Sequence, residues 1–137
     1  MRPLEGITVI TLEHAIAAPF ATRQLADLGA RVIKVERPGV GDFARGYDER
    51  VRGLASHFVW TNRSKESLTL DVKHPDAATI LERLLRKADV LVQNRAPGAA
   101  ARPFDLDDAR SQIGELARAE RRGNRMLERD DGGALER

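Results

Sequence analysis

The 137-residue chain has no cysteine, which excludes a disulfide framework and any thiolate metal site. It also lacks the G-x-G-x-x-G that would follow the first strand of a nicotinamide or flavin Rossmann domain. Gly39-Val40-Gly41, after the second apolar run, is a lone G-x-G and a weak signal. A Walker loop, a G-x-S-x-G elbow and a clustered His or carboxylate metal set are all missing, and the three His residues lie far apart. No stretch approaches the roughly 20 apolar residues of a membrane span. The opening MRPLEG holds no apolar signal region, so the expectation is a cytoplasmic chain without a membrane partner. Excess charge of one sign is missing too: 23 basic residues face 21 acidic ones, for a formal net charge of +2. That is too little for a nucleic-acid stripe.

The charge is unevenly spread, however. Residues 1–102 hold 16 basic against 12 acidic residues, a net +4, whereas 103–137 hold 7 against 9, a net −2. A modest positive surplus suits a small phosphate-bearing ligand. The tail also has no Val and one aromatic residue. An amphipathic helix through Leu106, Ala109, Ile113, Leu116 and Ala117 is expected there, followed by a disordered end. The predicted division is therefore a folded region at 1–102 and a divergent tail at 103–137.

The order within the first region comes from residues 7–36, ITVITLEHAIAAPFATRQLADLGARVIKVE. A β-rich run at 7–12 is followed by a small-residue segment and a helix at 19–28. Pro19 stands at the helix start, and Gly29 stands where a helix end favours positive φ. A second strand follows at 31–36. Strand, helix and strand within thirty residues predict a parallel β-α-β crossover. Phe20, Ala21, Leu25 and Leu28 form the apolar stripe expected to face the sheet, with Thr22, Arg23 and Asp27 on the polar side. A long loop with a possible short helix spans 43–55, and 56–62 reads as one or two helical turns. Further strands are predicted near 67–72 and 89–92, separated by a helix with Ile80, Leu81, Leu84, Leu85 and Ala88 on one face. Glu82 and Arg86 form its exposed i,i+4 pair. The run 89–92 is apolar at its centre and is expected to be buried on both faces. The whole reads as an α/β, Rossmann-like parallel sheet, and ligands of such sheets bind beyond the carboxyl ends of the strands.

Three cations close strands at that edge: Arg37, Lys73 and Arg95. Beside Gly-rich backbone they would suit a pyrophosphate or a 3′-phosphate; the plainer reading is that each simply ends a strand in solvent. Lys34, on the second strand but away from the edge, is expected to matter much less to a ligand. His14, alone in the loop after the first strand, reads as a hydrogen-bonded structural residue.

The segments LEGITVITLEHAIAAPFATRQLADLGARVIKVERPGVGDFARGY, NRSKESLTLDVKHPDA and ADVLVQNRAPG, in this order, resemble the N-terminal part of the family III CoA-transferases, the CaiB/BaiF family that includes α-methylacyl-CoA racemases. The resemblance runs over residues 3–102 and implies an incomplete N-terminal part of the family's Rossmann-like large domain. It implies coenzyme A or acyl-CoA as a substrate, a carboxylic acid as the second substrate, no tightly bound cofactor, and interlocked homodimers for complete members. It further implies that Ile16 and Ala17 contact CoA and the active-site region, and that Arg37 lies near the adenine end. Leu70, Asp71, Val72 and Lys73 would flank the nucleotide, Asn94 would line the CoA channel, and Arg102 would meet the phosphates. Formyl-CoA transferase-like members carry a polar residue where this chain has Ile16, and Arg95 stands where the family is more often aromatic or aliphatic. The family's nucleophilic Asp follows a Tyr, and Tyr47-Asp48 lies in a different part of the alignment, so no catalytic residue is assigned. Two other expectations stand beside a CoA-transferase portion: a stand-alone CoA- or nucleotide-binding module, and a non-functional remnant.

Overall fold

The computed structural model describes residues 1–94. The expected amphipathic helix, the tail 103–137, and Arg95 and Arg102 lie outside the described residues. Within them, β1 (Thr8–Leu12), α1 (Ala17–Asp27), β2 (Arg31–Glu36), a 3-10 turn (Phe43–Gly46), α2 (Ser56–Asn62), β3 (Glu66–Thr69), α3 (Ala77–Leu85) and β4 (Val90–Gln93) follow in order. The four strands form one sheet ordered β3-β2-β1-β4, every pairing parallel. Val9 sits opposite Val32 on one side and Val90 on the other, which sets the register.

The β-branched runs TVITL and RVIKVE make the two central strands, because such side chains fit a pleated, two-sided burial. Residues alternate between faces. Ile10, Leu12, Ile33 and Val35 meet Leu81 and Leu85 of α3, with Leu68, Leu84, Ala88 and Leu91 packed around them. On the opposite face, Val9 and Val32 meet Ala26 of α1 and Ala30. The expected face of α3 is thus largely buried, although Ile80 remains 42% exposed. Its Glu82–Arg86 pair closes at 2.6 Å. After α1, Gly29 adopts φ +107°, and a Cβ there would lie 2.6 Å from Arg2 Cβ.

Two expectations are corrected. The buried side of α1 is Pro19, Thr22, Arg23 and Ala26, while Phe20, Ala21 and Leu28 face outward. The spacing is helical, but the sheet beneath turns polar toward its carboxyl edge. Along β1 the α1-side positions read Val9, Thr11, Glu13, and along β2 they read Val32, Lys34, Glu36, all of these buried. A helix covering that surface needs polar groups to match it. Second, β4 is an edge strand among the described residues, with Val90 39% exposed, rather than buried on both faces. Lys34, within the polar surface beneath α1, is 1% exposed and belongs to the interior.

Candidate functional site

The carboxyl ends of β1, β2 and β3 surround a small concavity lined by Leu12, His14, Val35, Arg37, Leu70 and Val72. Parallel pairing brings it about, since all these ends lie at one edge. Backbone pairing extends one residue past β3, where the Leu70 N–H donates to Glu36 O at 2.9 Å, and holds Leu70 against the end of β2. Arg37 is exposed at the rim, with its guanidinium 3.4 Å from Gly41 O. Asp71 and Lys73 share the exposed turn after β3, and the Asp71 carboxylate accepts the Lys73 N–H at 3.0 Å. That side-chain turn fixes the start of the segment carrying the lysine.

Asn94 stands on the other side of β1. Its Nδ2 donates to His14 O at 2.9 Å and its Oδ1 accepts the His14 N–H at 3.0 Å. Ile16, 44% exposed, caps α1, and the exposed Ala17 is its first residue. The structure therefore joins Arg37, Leu70 and Val72 in one concavity, ties Asn94 to it through His14, and leaves Asp71 and Lys73 on the adjoining turn. His14, expected as a hydrogen-bonded structural residue, lines the concavity and stacks on Phe43, ring centroids 5.7 Å apart.

Behind the site lies a buried polar network that no sequence motif announces. Lys65 Nζ is 2.7 Å from Glu13 Oε1, and the Thr22 hydroxyl lies within 2.9 Å of both Glu13 oxygens. Asn62 Oδ1 accepts from both Lys65, at 3.1 Å, and Lys34, at 3.0 Å. Lys34 Nζ then meets Asp42 Oδ2 at 2.6 Å. The Asp42 N–H donates to Glu36 Oε2 at 3.0 Å, and Glu36 also accepts from Arg45 and Ser67. Burial lowers the Lys65 pKa, an effect the Glu13 carboxylate only partly offsets. For Asp42, burial acts upward, but Lys34 and the N–H groups of Ala44 and Ala15 leave the carboxyl below its usual range.

Glu36 borders the concavity and is the acid to weigh for chemistry there. Burial raises its pKa, yet the Arg45 guanidinium, the Asp42 N–H and the Ser67 hydroxyl outweigh this and bring it down to about 2. Gly41 permits the arrangement: it takes φ +60°, and a Cβ would lie 2.7 Å from Glu36 Oε2. A carboxylate so occupied is a poor nucleophile or base. Tyr47-Asp48 offers none either, since Asp48 accepts from Ser56 N, Ser56 Oγ and Arg50 N, closing a loop. Among the described residues, no group of three or more His, Cys, Asp or Glu could hold a metal ion, and no helix is long and apolar enough to cross a membrane.

Known proteins share this framework. The model of CoA-transferase family III matches residues 4–112. A succinyl-CoA:glutarate CoA-transferase of Mus musculus is 43% identical over 99 residues, covering 72% of this chain and 23% of that protein. An acetyl-CoA:oxalate CoA-transferase of Acetobacter aceti is 44% identical over 100 residues, covering 73% of this chain and 26% of that protein. Among solved structures, a CaiB/BaiF family protein from Brucella suis superposes with a TM-score of 0.69 at 31% identity, over 84% of this chain and 31% of that one. The chain thus spans about a quarter of the length of the curated relatives it matches. With parallel sheet, carboxyl-edge concavity and family motifs in agreement, the chain belongs to CoA-transferase family III.

Proposed function

We propose that this chain is the CoA-holding portion of an enzyme that transfers coenzyme A between an acyl-CoA and a carboxylic acid. The observation that carries the reading is the convergence of Arg37, Leu70 and Val72 on one carboxyl-edge concavity in a chain of this family. Leu70 and Val72 provide an apolar wall for the nucleotide. Arg37 and Lys73 supply cations for its phosphates, and Asn94, Ile16 and Ala17 border the path toward the thioester. Arg102, outside the described residues, would add a further phosphate contact. Transfer itself needs a carboxylate that attacks the thioester carbonyl, forming a mixed anhydride as CoA leaves as its thiolate. Glu36 is already saturated with donors and does not fit that role. The acid acceptor is not selected by similarity: relatives named for glutarate and for oxalate stand at nearly equal identity.

A second reading, a stand-alone CoA-binding module, is favoured by one observation. Residues 1–94 bury two apolar clusters and a polar network of their own. Calorimetric titration of the purified 137-residue chain with CoA tests both readings, alongside a transfer assay with an acyl-CoA and a dicarboxylate. Saturable binding that 3′-phospho-ADP displaces supports CoA holding. The described residues offer no free nucleophilic carboxylate at the concavity. Binding without turnover is therefore expected of a CoA-holding portion and of a module alike, whereas turnover by this chain overturns the module. A folded chain that fails to bind CoA at millimolar concentration overturns both.

A further inference from the structure

The β1–α1 loop is gripped at two adjacent residues from opposite sides. On one side, the Asn94 amide takes both backbone groups of His14. A side chain thereby supplies the next rung of a β1–β4 ladder whose last backbone pair is Leu12 opposite Gln93. The other end of the ladder is closed in the same manner, where the Thr8 N–H donates to Asp89 Oδ2 at 2.8 Å. On the opposite side of the loop, Asp42 Oδ1 accepts the Ala15 N–H at 3.2 Å and the Ala44 N–H at 3.0 Å. Its Oδ2 meets Lys34 Nζ. Asp42 is fully buried, so this second grip is rooted in the core.

Between the grips, Ala15 adopts φ +65°. A residue with a Cβ takes this left-handed conformation only when its surroundings impose it. Neither grip belongs to a regular element, because β1 ends at Leu12 and α1 begins at Ala17. What they fix is the short stretch that carries His14 past the concavity and leads into Ile16 and Ala17.

We propose that Asn94 and Asp42 are positioning residues that preset the β1–α1 loop for its ligand, acting through the backbone of His14 and Ala15. This rests on the CoA reading above. A loop released from either grip has to be ordered at the moment of binding, and affinity falls with the fraction of time it spends in the competent shape.

Three variants of the full chain separate positioning from simple support: Asn94→Ala, the double variant Lys34→Met/Asp42→Asn, and Lys34→Met/Asp42→Leu. Both double variants remove the buried ion pair, but only the asparagine leaves an acceptor for the Ala15 and Ala44 N–H groups. Two quantities are measured: amide hydrogen exchange at His14 and Ala15 in the ligand-free chain, and the affinity for CoA. Asn94→Ala should speed exchange at His14, and the leucine double variant should speed it at Ala15. Each should weaken CoA binding by about three- to tenfold. The asparagine double variant should keep slow exchange at Ala15 and bind CoA more tightly than its leucine counterpart. Faster exchange with unchanged affinity overturns the proposal, as do weaker binding without faster exchange and equal losses in the two double variants. Asn94 is exposed, so its variant tests the His14 grip even where a double variant fails to fold, and unchanged exchange at His14 in it overturns that half of the proposal. A chain that binds no CoA at all removes the CoA reading, and the exchange rates then still decide whether the grips exist.

Discussion

Lys34 and Asp42 form an ion pair of 2.6 Å with both side chains closed to solvent, at 2% and 0% exposure. Their remaining polar capacity is used by Asn62, Ala15 and Ala44. Removing one partner strands a charge in the interior. Lys34→Ala should therefore destabilise the chain by about 3–5 kcal/mol, whereas Lys34→Met/Asp42→Asn, which removes both charges and keeps an acceptor for the Ala15 and Ala44 N–H groups, should cost less. Urea unfolding followed by Trp60 fluorescence measures the difference, and a double-variant loss equal to the sum of the two corresponding single-variant losses would show that the pair is not coupled. Lys34 is thus unsuited as an innocuous comparison for ligand-binding variants, because its loss disturbs the fold.

Arg37 and Lys73 are exposed and carry no buried ion pair, so their removal should leave folding nearly unchanged. If they meet CoA phosphates, Arg37→Ala and Lys73→Ala should each weaken CoA binding by about 1.5–3 kcal/mol, the range of hydrogen bonds to charged groups. Arg86→Ala, on the outer face of α3 and paired with Glu82, serves as the comparison. Equal losses at all three positions, measured calorimetrically, would indicate nonspecific attraction between cations and phosphates.

Glu36 gives the fold a defined acid limit. Its folded pKa is depressed from 4.5 to about 2. The stability it supplies is therefore present above pH 4.5 and is lost as the pH falls from there toward 2. Linkage puts that contribution on the order of 2–3 kcal/mol. Glu36→Gln should lower stability at neutral pH and flatten its decline across this window. The decline should not vanish, because the Asp42 carboxyl is also depressed. Denaturant midpoints between pH 2 and 7 provide the check, and identical slopes in the two proteins would contradict the assignment.

The strands were legible because each central one is a run of β-branched residues, a local property. Observed strands at Thr8–Leu12, Arg31–Glu36, Glu66–Thr69 and Val90–Gln93 fall close to those expected. The buried side of α1 was not legible. Thr22 and Arg23 look solvent-facing until Glu13 and Lys65 are brought beneath the first, and the Trp60 carbonyl and ring beside the second. Helical periodicity ranks residues by polarity, and here the partner surface is itself polar. For β4, an apolar centre suggested two covered faces, whereas its place at the edge leaves Val90 partly open. At the site, strand order placed Arg37 at the carboxyl edge and the family resemblance alone pointed to Leu70 and Val72, while the link from Asn94 to His14 depends on contacts eighty residues apart.

The passage from Val9 to Glu13 and from Val32 to Glu36 makes one face of the sheet a graded material. Its amino end is joined by contacts that weaken in the cold and in urea but are indifferent to protons. Its carboxyl end is joined by ion pairs and hydrogen bonds that are directional and fail in acid. The two ends should therefore come apart under different stresses. Acid approaching pH 2 would loosen the carboxyl edge first, leaving the α1 side of Val9, Ala26, Ala30 and Val32 packed. A binding site at that edge would then be lost while the rest of the fold persists, with pH as the variable that separates the two.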